Sequence, residues 1–219
     1  PKLNKTDLKT VFIAIPSIAE QQQIADYLDT KCSEIDATAE DIQKEISLLE
    51  EYKKSVITEA VTKGLNPDAE MKDSGIEWIG EIPKDWERGC IKNILEVLTD
   101  YTANGSFADL AKNVHYLDND GFARLVRLTD LRLDLSNDDG VYVGEKTYNY
   151  LAKSSLFGGE ILVANVGAYA GLFCEMPPKE GRFTLGPNMF LLRTNKRMIQ
   201  HYLFYLGQAK FVKEQLAQK

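Results

Sequence analysis

From Ser17 to Lys63 the chain contains neither glycine nor proline. Within that stretch apolar or small residues fall at Leu28, Cys32, Ile35, Ala39, Ile42, Ile46, Leu49, Val56 and Ala60. From Cys32 to Leu49 the steps alternate between three and four residues, which is the heptad seam of a coiled coil. Lys53 interrupts the seam, with Tyr52 alongside. Ser17 and Glu20 have the spacing of a capping box at the helix start, and Pro16 precedes it without harm. Gly64 supplies a left-handed stop, and Pro67 prevents the helix from resuming. A helix of about 45 residues is roughly 65 Å long. A domain of this size cannot cover such a rod, so the seam predicts a partner helix. The competing reading is one amphipathic helix lying on its own domain. Glu34, Asp36, Glu40, Asp41, Glu45, Glu50 and Glu51 lie between the seam positions and read as a solvated face.

The pattern changes on either side of the helix. Before it, a polar lead gives way to an apolar run at 11–15 that predicts a short strand. After it, the turn-rich stretch 66–75 reads as a linker. Residues 91–98 suit a short helix or strand. The run 123–135 alternates like a half-buried strand, ending or bulging near Thr129. A turn into a helix is expected over 142–151, a buried strand at 161–166, and a strand pair about Gly186 and Pro187 within 182–194. A terminal helix over 197–218 would bury Ile199, Leu203, Leu206, Phe211 and Leu216. The predicted class is α+β, with one long coiled-coil helix joined to a mixed α/β domain. The expected divisions are a strand segment at 1–18, the helix at 19–65, the linker at 66–75 and the mixed domain at 76–219.

Composition narrows the function. A chain of 219 residues with 44% hydrophobic residues can bury a core without staples. Cys32, Cys90 and Cys174 are few, odd in number and dispersed, as in a reducing cytosol. With neither a signal peptide nor an apolar run of about 18 residues, a cytoplasmic location is expected. The net charge of -7 argues at first against nucleic acid. Counted by segment, residues 1–75 carry -6 and residues 76–219 only -1. The mixed domain is therefore free to hold a local basic surface.

No chemistry of catalysis is legible. There is no phosphate-binding loop, no dinucleotide fingerprint and no nucleophile elbow. His115 and His201 lack metal-ligand spacing. Asp68, Glu70 and Lys72 resemble a magnesium-nuclease set, but the acids stand in a linker. Met176-Pro177-Pro178 resembles an amino-methyltransferase motif, but Met176 cannot accept a hydrogen bond. The expectation is a non-catalytic protein without a bound metal or cofactor.

Several stretches are recognisable. IPSIAEQQQIADYLD (15–29) is similar to the signature that opens the conserved helices of type I restriction–modification specificity subunits. LLEEYKKSVITEAVTKGL (48–65) resembles the end of such a helix, and MKDSGIEWIGEIPKDWE (71–87) the entry to a target-recognition domain. RLVRLTDL (124–131), GGEILVANVGAYAG (158–171) and PNMFLLR (187–193) resemble looser patterns of that domain. The resemblance covers nearly the whole chain. It implies a subunit with two recognition domains held apart by two antiparallel helices, each domain reading half of a split sequence in double-stranded DNA. It implies methyltransferase subunits and a restriction subunit as partners, and assigns S-adenosylmethionine, ATP and magnesium to them.

This chain departs from that pattern in having one helix and one recognition domain, with the closing strand segment at 1–18 standing before the helix. Two copies paired antiparallel would cover both seams and bring residues 1–18 of each to the recognition domain of the other. The expectation is an antiparallel homodimer reading two identical half-sites; the alternatives are a fragment of a longer gene and a coiled-coil adaptor without DNA specificity. The expected DNA-binding residues are Arg124, Arg127, Thr129, Asp130 and Arg132 on or beside one strand, Asn165 and Tyr169 near a glycine-bounded loop, Lys179 and Arg182 about Gly181, and Asn188 after the Gly-Pro turn. Arg127 suits a guanine edge or an internal acid, and Asn165 suits adenine or a turn. Lys179 and Arg182 suit phosphates, while Asn188 has a purely structural reading as well.

Overall fold

A computed structural model describes residues 3–118 and 120–218. Pro1 and Lys2 of the expected strand segment, and Asn119 and Lys219 of the expected mixed domain, lie outside the described residues. The chain divides into two units, residues 1–52 and 53–219, with the division falling inside the long helix. The class is α+β, as the sequence predicts.

The first unit holds α1 (Lys5–Lys9) and most of α2 (Ile18–Lys63). Asn4 caps α1 by accepting from the Thr6 and Asp7 N–H groups. At the start of α2 the Glu20 N–H donates to Ser17 Oγ at 3.3 Å. The Gln21 amide donates to the Pro16 carbonyl at 2.9 Å, so Gln21 ties down the entry. No residue of α2 is buried before Ile57. The whole seam is therefore open: Leu28, Cys32, Ile35, Ala39, Ile42, Ile46, Leu49 and Val56 are all exposed, Ile42 by 53%. Lys31–Glu34 and Lys44–Glu40 ion pairs lie along the helix surface, where each contributes only a few tenths of a kcal/mol. The apolar run at 11–15 is neither helix nor strand and is exposed. A strand needs a neighbouring strand to satisfy its backbone, and among the described residues this run pairs with none.

In the second unit α2 ends as its sequence demands. Gly64 adopts φ +76° and its N–H donates to the Ala60 carbonyl at 3.1 Å, closing the helix with a left-handed residue. The expected linker is not structureless, because β1 (Met71–Asp73) pairs antiparallel with β2 (Glu81–Pro83). The remaining elements are β3 (Leu95–Asp100), α3 (Phe107–Asn113), β4 (Tyr116–Leu117), β5 (Ala123–Val126), α4 (Leu128–Leu131), β6 (Val141–Val143), α5 (Glu145–Tyr150), β7 (Ser155–Leu156), β8 (Ile161–Ala164), β9 (Phe173–Glu175), β10 (Phe183–Leu185), β11 (Met189–Thr194), α6 (Gln200–Gln208) and α7 (Lys210–Ala217).

Two sheets organise these elements. One runs β4-β6-β5-β10-β7, with β5 and β10 parallel and the other neighbours antiparallel. The other runs β3-β11-β8-β9, antiparallel throughout. Side-chain alternation assigns the strand faces to separate cores. Leu162, Leu191 and Met189 meet Val126, Phe183 and Leu185 in a core shared by both sheets. Ile161, Val163 and Leu192 point the other way, onto Leu203, Phe211, Val212 and the Ile57 and Val61 end of α2. Ala123, Leu125 and Val143 form a third core with Leu110 and Leu151. The unbroken apolar run of β8 follows from burial on both faces.

Three further expectations are corrected. The stretch 123–135 is a strand only to Val126 and then turns into α4. Strands β10 and β11 flank the Gly-Pro turn but belong to different sheets, so they are not a hairpin. The terminal helix is broken at Ala209, whose extended backbone (ψ 144°) places this fully buried residue in the core. Ile199 and Leu216 are accordingly exposed, while Leu203 and Phe211 are buried.

Gly207 fixes how α6 approaches the sheet. A Cβ there would stand 2.2 Å from Phe173 Cγ. Alanine gains about 1 kcal/mol of helix propensity over glycine, but overpacking a filled core costs about 1–3 kcal/mol. Since Phe173 is itself buried against the sheet, the clash should win. Gly207→Ala is expected to lower the urea midpoint of unfolding with an unchanged slope.

Candidate nucleic-acid interface

The site is built on the turn after β5. Arg127 is the residue before α4, and its backbone N–H and side chain both engage Asp130, three residues on. The N–H donates to Asp130 Oδ2 at 2.8 Å, while Nε and Nη2 donate to Oδ2 and Oδ1 at 2.9 and 2.8 Å. Asn137 Nδ2 adds a bond to Oδ1 at 2.8 Å, and Arg124 Nη2 approaches the same oxygen at 3.5 Å. Arg124 also donates to the Leu135 carbonyl at 2.9 Å and to Asn137 Oδ1 at 2.7 Å. Asp130 is fully buried. Burial by itself raises a carboxyl pKa, but the hydrogen bonds from Arg127 and Asn137 outweigh it and hold Asp130 below the usual carboxylate range. The same bond keeps Arg127 raised despite its partial burial.

This network corrects one expectation and recasts two. Asp130 has no surface to offer a base and instead anchors the turn. Arg124, with a side chain only 11% exposed, is committed to the same anchor. For Arg127 the internal acid is the partner observed, with the Asp139 carbonyl as a further acceptor at 2.9 Å. Thr129 stands exposed on α4.

Beyond the anchor the chain presents a second, exposed group. Arg132 donates to Tyr169 Oη at 2.9 Å, and its guanidinium lies 4.6 Å from the centre of that ring. Two residues on, Asp134 receives Lys179 at both its carbonyl and its carboxylate. The segment after α4, the Gly167–Tyr169 turn and the loop before β10 therefore converge, bringing Arg132, Tyr169 and Lys179 to one surface. Asp134 and Leu135 adopt φ of +51° and +55°, a conformation unfavourable for leucine. The buried Leu135 side chain and the Arg124 bond to its carbonyl hold it there.

The remaining expected residues have other partners. Arg182 is exposed and stacks on Phe122 at 4.4 Å. Asn165 and Asn188 are joined through the backbone, the Asn165 N–H donating to the Asn188 carbonyl at 3.1 Å. Asn188 is exposed and takes φ +70°, a left-handed turn position. Asn165 Oδ1 is buried without a partner among the described residues. Asn137, Asp134 and Phe122 were not legible as site residues. The run Ser136-Asn137-Asp138-Asp139-Gly140 signals only a turn.

Among the described residues no cluster of His, Cys, Asp or Glu could hold a metal, and no helix is long and apolar enough to cross a membrane.

Comparison with known proteins gives these features a context. Residues 1–48 match the family of the type I restriction modification DNA specificity domain. The chain is 26% identical to the type I restriction enzyme MjaVIII specificity subunit of Methanocaldococcus jannaschii, over 99% of this chain and 48% of that protein. A putative type I restriction enzyme MjaX specificity subunit of the same organism is 39% identical over 39% of this chain and 18% of its own length. The type I restriction enzyme EcoBI specificity subunit of Escherichia coli is 28% identical over 42% of this chain and 20% of its own. Among solved structures, the HsdS subunit from Thermoanaerobacter tengcongensis aligns with a TM-score of 0.45 and 13% identity, covering 100% of this chain and 47% of that one. The chain spans about half the length of the full-coverage relative. By these sequence matches, it is similar to type I restriction–modification specificity subunits, most extensively to one of about twice its length.

Proposed function

We propose that this chain is a non-catalytic, sequence-specific DNA-recognition component of a type I restriction–modification complex. It directs methyltransferase and restriction subunits to a bipartite site in double-stranded DNA, and it acts in the cytoplasm. The observation that carries the reading is the family match together with the exposed Arg132, Tyr169 and Lys179 group on an otherwise near-neutral domain. Arg132 and Tyr169, with Thr129 and Asn165 close to them in the chain and Asn188 bonded to Asn165 through the backbone, serve base recognition. Lys179 and Arg182 serve phosphates. Arg127 stays in the anchor, where Arg124 and Asp130 position the turn that presents Arg132.

The open seam supports the finer part of the reading, an antiparallel homodimer through Leu28, Cys32, Ile35, Ala39, Ile42, Ile46, Leu49 and Val56. A left-handed coiled coil covers such a stripe. Two copies of one recognition domain would read two identical half-sites in inverted orientation. The twofold greater length of the MjaVIII relative favours a second reading, in which the covering helix belongs to the rest of a longer chain.

Adenine-methylation mapping with a cognate methyltransferase subunit, with and without this chain, tests the proposal. The expected result is methylation at inverted repeats of one half-site that disappears without the chain. Two unrelated half-sites would remove the homodimer, and unchanged methylation would remove the recognition role in favour of a coiled-coil adaptor. Lys179→Ala and Arg182→Ala should each weaken binding to every sequence alike in a mobility-shift titration. Each should reduce the slope of log affinity against log salt by about 1. A changed sequence preference at unchanged affinity would reject the phosphate role.

A further inference from the structure

We propose that Leu133 and Asp134 are base-reading residues, which with Arg132 form one rigid crest that recognises a thymine methyl and a cytosine amino group in the major groove. The inference rests on the DNA-recognition role proposed above and names the chemistry of one part of the half-site.

Residues 132–134 are the exposed crest of the turn that follows α4. Leu133 is 55% exposed and the Asp134 side chain 76%. The backbone beneath them is fully engaged. The N–H groups of Arg132, Leu133 and Asp134 donate to the carbonyls of Leu128, Asp130 and Leu131. Those of Leu135 and Ser136 donate to Asp130 and Leu133. Asp130 and Leu135, on either side of the crest, are buried. The turn closes through two consecutive left-handed residues, Asp134 and Leu135. Unfavourable backbone of this kind persists where surrounding contacts enforce it, and it clusters at ligand sites. The crest therefore reaches solvent with little conformational freedom left to lose on binding.

A single exposed leucine is ordinary on a protein surface. Leu133 differs in standing between Arg132, held by Tyr169, and Asp134, held by Lys179. Among the described residues it packs into none of the three cores. The crest thus presents in succession a donor fork, an apolar group and an acceptor. The major groove offers a match for each: guanine has two acceptors, thymine a methyl group and cytosine an amino donor. The Asp134 carboxylate suits cytosine over adenine, because the adenine amino group stands beside N7, an acceptor that repels a carboxylate. An uncompensated carboxylate would also be repelled by phosphates. Lys179 offsets that charge, with its ammonium 3.4 Å from Asp134 Oδ2 and bonded to the Asp134 carbonyl as well.

The test offers random-sequence DNA to the full chain together with a cognate methyltransferase subunit and sequences the bound fragments. Wild type is compared with Leu133→Ala and Asp134→Asn. Both positions are exposed, and asparagine tolerates the left-handed backbone of Asp134. Leu133→Ala should relax preference at one thymine by about fourfold, the worth of one buried methyl group. Asp134→Asn should move one cytosine position towards adenine by about tenfold, with the other positions unchanged. A second measurement needs no variant to fold. For the wild-type chain, uracil in place of that thymine, or a pyrimidinone lacking the amino group in place of that cytosine, should weaken binding by the same factors. Variants that select the wild-type sequence, or a wild type indifferent to both base analogues, overturn the crest assignment and leave the recognition role standing. A wild type that selects no sequence at all overturns both.

Discussion

Asp130→Ala should cost the second unit about 3–5 kcal/mol of unfolding free energy, the largest loss expected from any single polar substitution in it. The carboxylate is fully buried and receives three bonds from Arg127, one from Asn137 and the nearby charge of Arg124. Removing it leaves Arg124, almost without access to water, uncompensated. It also frees the N–H that holds the β5 to α4 turn. Asp130→Asn should recover little, because the amide presents a donor to Asn137 and no charge to the arginines. The pH dependence has a definite sign. The folded pKa of Asp130 lies below its unfolded value of about 3.9. Its contribution is therefore complete above that value and declines as pH falls through the lower folded pKa. Urea unfolding at pH 7 should show the full difference between wild type and Asp130→Ala. The gap should narrow below about pH 4. A pH-independent difference of under 1 kcal/mol would mean that the network is dispensable.

Ile42→Asp should abolish the antiparallel dimerisation proposed above. Ile42 lies at the middle of the seam and is 53% exposed in the single chain. In an antiparallel pair the substitution acts twice near the symmetry axis. Burying each isoleucine is worth about 1.5–3 kcal/mol, so removing both forfeits roughly 3–6 kcal/mol. The two new carboxylates would also face one another in a drying interface, which adds to the cost. The dissociation constant should rise more than about 100-fold, since 1.4 kcal/mol is a factor of ten. Helix content should change little, because Ile42 makes no buried contact within the chain. Analytical ultracentrifugation with circular dichroism checks both statements. A variant that remains dimeric at micromolar concentration would place the contact elsewhere, while wild type that is monomeric would show that the seam awaits a different helix.

How far the residues could be read depended on how local the deciding interactions are. The long helix was legible because its hydrogen bonds connect residues four apart and its start and stop use neighbouring side chains, Ser17 and Gly64 among them. The buried strand β8 was legible from its unbroken apolar run. The end of the strand that starts at Ala123 was expected near Thr129 and comes at Val126, because apolar residues continue through Leu128 and Leu131 while the backbone has already turned. The turn is decided by a carboxylate whose partners stand up to 7 residues away. The strand pair about Gly186 and Pro187 reads as a hairpin along the chain, yet each strand finds its neighbours in a different sheet.

The candidate interface shows the same division. Sequence alone located the arginines, the glycine-bounded loop and the lysine, and it separated an acidic helical arm from a near-neutral domain. It could not sort the cations by use, because sorting requires knowing which acids they meet. Folding joins Arg124 and Arg127 to Asp130 in the interior and leaves Arg132, Tyr169 and Lys179 together at the surface. The heptad seam was likewise determined by spacing, which any helix inherits from its 3.6-residue turn. Only the tertiary structure established that Ile57, Val61 and Thr62 are the residues of α2 that become buried among the described residues, because burial is a property of contacts between distant residues.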